Sequence, residues 1–101
     1  MQRFRTYQMA RDFYLQAAPI KLRRPLGDQL RRAAASVALN LAEGYGRESR
    51  ADQRRFFTIA LGSVRECQAV FELTRGSFTP KLHDQLDHLA ASLWRLLQAG
   101  R

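Results

Sequence analysis

The stretch ASVALNLAEGYGRESR, residues 35–50, decides how the chain is read. Small and apolar residues run through it at helical spacing and are interrupted by Asn40. The pattern then breaks at Glu43-Gly44-Tyr45-Gly46 and gives way to a basic tail. Gly44 and Gly46 can supply the left-handed backbone that stops a helix. Ser49 is a good N-cap, and Asp52, three residues on, makes a shortened capping box. The stretch is the end of one helix, a short turn and the start of another.

Working outward, four segments carry helical periodicity. The first spans residues 3–18, with Tyr7, Ala10, Tyr14, Ala17 and Ala18 on one face and Pro19 as the stop. The second spans residues 26–43, with Leu26, Leu30, Ala34, Val37 and Leu41 as its stripe. The third spans residues 50–75 and ends before Gly76; at 1.5 Å per residue it is on the order of 40 Å long. The fourth spans residues 80–98, opened by Thr79-Pro80 as cap and first residue. Its leucines at 82, 86, 89, 93 and 96 alternate four and three apart, the seam of an antiparallel bundle. No strand signal competes. Short connections make neighbours antiparallel, so residues 1–101 are expected to form one all-α domain, an up-down-up-down four-helix bundle.

Two features exceed what one bundle core needs. On the third segment Phe56, Phe57, Ile59, Ala60, Leu61, Ser63, Val64, Cys67 and Phe71 cover more than half the circumference. Leu39, with Ala35 and Ala42, lies opposite the second segment's stripe, and Trp94 flanks the leucine seam. Gly62 costs about 1 kcal/mol against alanine in mid-helix, which close approach of another backbone would offset. Leu39, Phe57, Leu61, Gly62 and Trp94 are therefore the expected interface of a homo-oligomer.

The 101 residues carry a net charge of +8. Ten basic and four acidic groups fall within residues 21–65, whereas residues 66–101 are balanced at four of each. A cluster of this kind favours an anionic partner. Arg23, Arg24, Arg31, Arg32, Arg47, Arg50, Arg54 and Arg55 are the candidate nucleic-acid contacts, arginine being suited to bidentate phosphate binding. In an antiparallel hairpin they form two zones. Only Tyr45 is interleaved with them, so contact with backbone and shape is expected rather than base reading.

Ser36, Asn40 and Glu43 share one side of the second helix. They read as a polar latch, with Asn40 satisfying backbone groups and Glu43 taking an arginine or amides at the next helix. Gly44 and Gly46 complete it as the stop. Catalysis by Glu43 has little support, because no second titratable group is placed beside it. His83 and His88 are five apart, not the spacing of a two-histidine metal site. "GYGR" lacks the long loop and Gly-Lys-Ser/Thr ending of a phosphate loop. No metal or cofactor is expected. Lone Cys67 excludes an intrachain disulfide and fits a cytoplasmic home. No segment has the ~20 apolar residues of a membrane span, and the first lacks the apolar core of a secretory signal.

The motifs Asp28-Gln29-Leu30-Arg31-Arg32-Ala33, Asn40-Leu41-Ala42-Glu43-Gly44 with Gly46-Arg47, and Phe56…Ala60-Leu61-Gly62-Ser63…Glu66 carry a resemblance. Together they resemble the bacterial four-helix-bundle proteins encoded in intervening sequences of large-subunit ribosomal RNA genes. Leu41, where that family favours isoleucine, and the basic Arg65-Glu66-Cys67 stretch depart from it. The resemblance implies an up-down bundle in a ring-like homo-pentamer. The accessory variability protein of diversity-generating retroelements is similar, a basic bundle that associates with a reverse transcriptase and RNA. The resemblance implies no established catalytic activity. The expected function is therefore a non-enzymatic oligomeric bundle that binds RNA or another nucleic acid. The alternative is a scaffold docking an acidic or nucleic-acid-processing protein, such as a reverse transcriptase.

Overall fold

The computed structural model describes residues 4–74 and 76–99. They form four helices, α1 (Arg5–Ala17), α2 (Leu26–Tyr45), α3 (Arg50–Leu73) and α4 (Pro80–Gln98), with no strand among the described residues. Local signals fix two starts. Ser49 Oγ accepts from the Asp52 amide at 3.1 Å, and Thr79 Oγ1 accepts from the Leu82 amide at 3.2 Å. Each occupies one of the amides that a helix start leaves unpaired.

The ends of the first three helices differ from the sequence reading, α1 by one residue at Ala17. The expected start at residue 3 lies outside the described residues. The third helix stops at Leu73, where the Thr74 hydroxyl donates to the Val70 carbonyl at 2.7 Å. Gly76, with φ of 84°, then turns the chain in the left-handed region that favours glycine. The second helix runs on through Gly44 to Tyr45, and Gly46 keeps right-handed geometry at φ −83° and ψ −7°. Neither glycine is a left-handed stop, contrary to expectation.

The helices enclose a core of four stripes, forming a four-helix bundle. α1 contacts α2 and α4, and α3 contacts α2 and α4. The α2–α3 contact is much the largest. Small residues help explain it: Ala33, Ala34 and Gly44 are buried on α2, and Ala60 and Ser63 on α3. Small side chains at a contact let two helix axes approach closely. α4 buries Leu82, Leu86, Leu89, Leu93 and Leu97, each worth roughly 1.5–3 kcal/mol of transfer free energy. Leu97 replaces Leu96 in the expected seam, and Leu96 is half-buried. A straight helix drifts away from a strict seven-residue repeat, so the last turn selects the next residue.

Aromatic rings close the two ends. Tyr45 lies edge-on to Phe4 and to Phe57, with centroids 5.2 Å apart in each pair. At the other end Phe71 stacks on Phe78 at 3.8 Å and meets the His83 ring edge-on at 4.9 Å. Cys67 is wholly buried between them on α3. Burial, with a smaller contribution from Glu66, pushes its thiol up to about 12, so it stays protonated and unreactive at neutral pH. A groove of about 560 Å³ runs between α1 and α4, with His88 on its wall and Thr6 bonded to Ser92 within it.

Candidate nucleic-acid interface

The turn from α2 to α3 is built by its own side chains. The Arg47 amide donates to the Gly44 carbonyl at 3.1 Å, and Gln53 Nε2 donates to the Arg47 carbonyl at 3.2 Å. Arg47 reaches back to Glu43 at 3.0 Å, an exposed pair one helical turn apart. Glu43 thus takes an arginine of the turn rather than one on the next helix. Gly44 has a different role from the one its sequence suggests. A Cβ there would lie 2.6 Å from Phe57 Cε1 and 3.2 Å from Phe56 Cβ. The missing side chain is the space into which α3 packs.

Four arginines around this turn have three different environments. Arg47 and Arg55 each place the guanidinium carbon 4.8 Å from the centroid of the half-buried Phe56 ring. Arg50 is exposed. Arg54 is half-buried and donates to the Leu97 carbonyl, capping the end of α4 where a cation also opposes the helix dipole. Arg54 therefore serves the fold, and Arg47, Arg50 and Arg55 present the charge.

The other candidate arginines lie elsewhere. Arg23 and Arg24 are exposed in the α1–α2 connection and line a hollow with Leu73, Thr74 and Ser77, near the far end of the long α3. On the first turns of α2, Arg32 is exposed and Arg31 bonds Asp28 at 2.6 Å. That hydrogen bond, aided by the charges of Arg24, Arg31 and Arg32, holds the Asp28 carboxyl below its ordinary range. The two basic zones expected from sequence are thus separated along the bundle.

The latch centres on Ser36. Asn40 Nδ2 donates to the Ser36 carbonyl at 2.9 Å and to Ser36 Oγ at 3.0 Å, while Ser63 Oγ of α3 donates to Ser36 Oγ at 2.8 Å. The cross-helix bond is made by Ser63, which sequence reasoning assigned only to an apolar stripe. Ser63→Ala is expected to lower stability by about 1 kcal/mol and Asn40→Ala by about 0.5–1 kcal/mol in urea melts. The double variant should lose less than both together, since both bonds end on Ser36. Strict additivity would separate the two bonds.

The expected oligomer surface divides. Leu39 and Trp94 are 68% and 56% exposed, and a Cβ on exposed Gly62 would meet nothing within 4 Å. Ile59 and Leu73, outside the expected set, are also exposed. Phe57 belongs to the core at 6% exposure, because it fills the space over Gly44; it is not a surface residue. Leu61 is half-buried against the core. Phe56 is the functional candidate that sequence reasoning missed. The available signal was Arg54-Arg55-Phe56, an aromatic directly after the arginines.

The family model of the 23S rRNA-intervening sequence protein matches residues 3–99. The chain belongs to that family. The description of a 23S rRNA-intervening sequence protein supplies a ribosomal-RNA context and nothing finer. A search of curated proteins finds no match to the chain. No helix among the described residues is long and apolar enough to cross a membrane.

Proposed function

We propose that the protein is a non-enzymatic, oligomeric bundle that binds RNA through backbone and shape. The observation that carries this reading is the arginine group at the α2–α3 turn, with Arg47 and Arg55 on Phe56 and Arg50 exposed at the start of α3. The family description adds the ribosomal-RNA context. The helices run up-down-up-down, a reading supported by Phe4–Tyr45 between α1 and α2, Ser36–Ser63 and Gly44–Phe57 between α2 and α3, and Arg54–Leu97 and Phe71–His83 between α3 and α4. A cytoplasmic homo-pentamer, covering Leu39, Gly62 and Trp94, repeats the basic end around a ring and turns weak contacts into avidity.

The test is a salt titration of binding to structured RNA. Affinity should fall steeply with salt, and Arg50→Ala should reduce the log–log slope by about 0.7–0.9. A flat response, or no binding at low salt, overturns the reading. Light scattering on the same sample gives the subunit number.

A second reading is a scaffold for an acidic or nucleic-acid-processing protein, favoured by the exposed Leu39, Ile59, Leu73 and Trp94. Pull-down with and without ribonuclease separates the two. Partners lost with nuclease favour RNA, and partners retained favour the scaffold.

A further inference from the structure

We propose that Arg47 and Arg55, braced on Phe56, form a two-guanidinium site for the phosphate backbone of RNA, which Glu43 partly occupies in the free protein. This deepens the RNA-binding reading and rests on it.

The geometry carries three parts of the proposal. First, both guanidinium carbons lie 4.8 Å from one ring centroid, so a single aromatic side chain braces both cations. Attraction of each cation to the ring fixes its guanidinium at the turn, where phosphate oxygens can accept from it. Second, Arg47 is positioned before any ligand arrives. Gln53 holds its carbonyl at 3.2 Å and Glu43 holds its Nη2 at 3.0 Å. Pre-set donors reduce the ordering cost of binding. Third, the Glu43 carboxylate stands in the last turn of α2, where the helix dipole disfavours an anion. It is exposed, and it contacts one end of a five-donor fork that suits two phosphate oxygens. Glu43 is therefore an internal competitor: it keeps Arg47 in place and screens the site until a phosphate displaces it.

Charge alone and a stacked fork make opposite predictions. A point-charge site tolerates Arg55→Lys, whereas a stacked fork does not. Anisotropy titrations of a fluorescent RNA hairpin at low salt are read for wild type, Glu43→Gln, Arg55→Lys, Phe56→Leu and Phe56→Tyr. Glu43→Gln should bind about three- to tenfold tighter, and Arg55→Lys and Phe56→Leu about three- to tenfold weaker. Phe56→Tyr retains the ring and should bind as wild type, and a thermal melt of Phe56→Leu separates loss of the site from loss of the fold. Unchanged affinity in Arg55→Lys and Phe56→Leu overturns the stacked site. Unchanged or weaker binding by Glu43→Gln overturns the competition. Should wild type bind no RNA, the RNA reading fails on its own, and inorganic pyrophosphate decides the site. Shifts of the Arg47 and Arg55 Nε–H resonances, absent in Phe56→Leu, uphold a phosphate site, and no shift removes it.

Discussion

Gly44→Ala should destabilise the protein by about 1–3 kcal/mol, lowering the melting temperature on the order of 10 °C. The sign is informative because propensity alone predicts the reverse. Alanine in a helix interior is favoured over glycine by about 1 kcal/mol. Here the added methyl would sit 2.6 and 2.9 Å from two carbons of the Phe57 ring. That ring is 6% exposed and lies edge-on to Tyr45, so it has little room to withdraw. Phe56 Cβ, at 3.2 Å, adds a contact that rotation of the Phe57 ring does not relieve, since a Cβ yields only if α3 itself moves. Valine at the same site should cost more, because its extra methyls point into the same contact. The check is a thermal melt with urea titration of both variants. A rise in melting temperature for Gly44→Ala would mean that the ring swings aside and that close packing does not hold this junction.

Phe13→Ala should cost about 3–5 kcal/mol, a large part of the 5–15 kcal/mol that folded domains typically have. The reason lies in α1. Its buried residues are Thr6, Ala10, Phe13 and Ala17, and Phe13 is the only large one. Its ring is fully buried, with its centroid 6.0 Å from that of Phe71. Truncation therefore leaves α1 held by two alanines, one threonine and half-buried flanking residues. Chemical denaturation gives the loss, and amide exchange locates it. Exchange protection should fall in α1 before α2 and α3. A loss of less than about 1.5 kcal/mol would show that the flanking tyrosines, not Phe13, dock the helix.

The two substitutions also show what was legible in sequence. Helix starts at Ser49 and Thr79 were, because a cap is a local pattern of one side chain and one nearby amide. The leucine seam was legible as far as Leu93, and failed where a repeat of seven and a straight helix diverge. Gly44 misled because glycine has two properties, freedom of backbone and absence of Cβ. Sequence near a helix end suggests the first, and only the position of Phe57 reveals the second. Phe57 looks like part of an oligomer surface in sequence for the same reason, and lies in the core because it fills the space over Gly44. The interface arginines were legible as a charge cluster, but not their separate environments. Arg54 bonds a carbonyl 43 residues away, and no local pattern announces such a partner. The stack of Arg47 on Phe56 crosses a turn and depends on how that turn closes.

The inequality among the helix contacts has a kinetic consequence. α2 and α3 share the largest contact, are joined by four residues, and contain the Ser36–Ser63 bond and the Gly44–Phe57 fit. Closing so short a loop has a small entropy cost, so this hairpin is the natural nucleus for folding. α4 can then add through another short connection. Only the α1–α4 seam, with its groove and its Thr6–Ser92 bond, joins elements far apart in the chain. It is expected to close the ring of contacts last and to open first, which amide exchange at the α1–α4 seam would test.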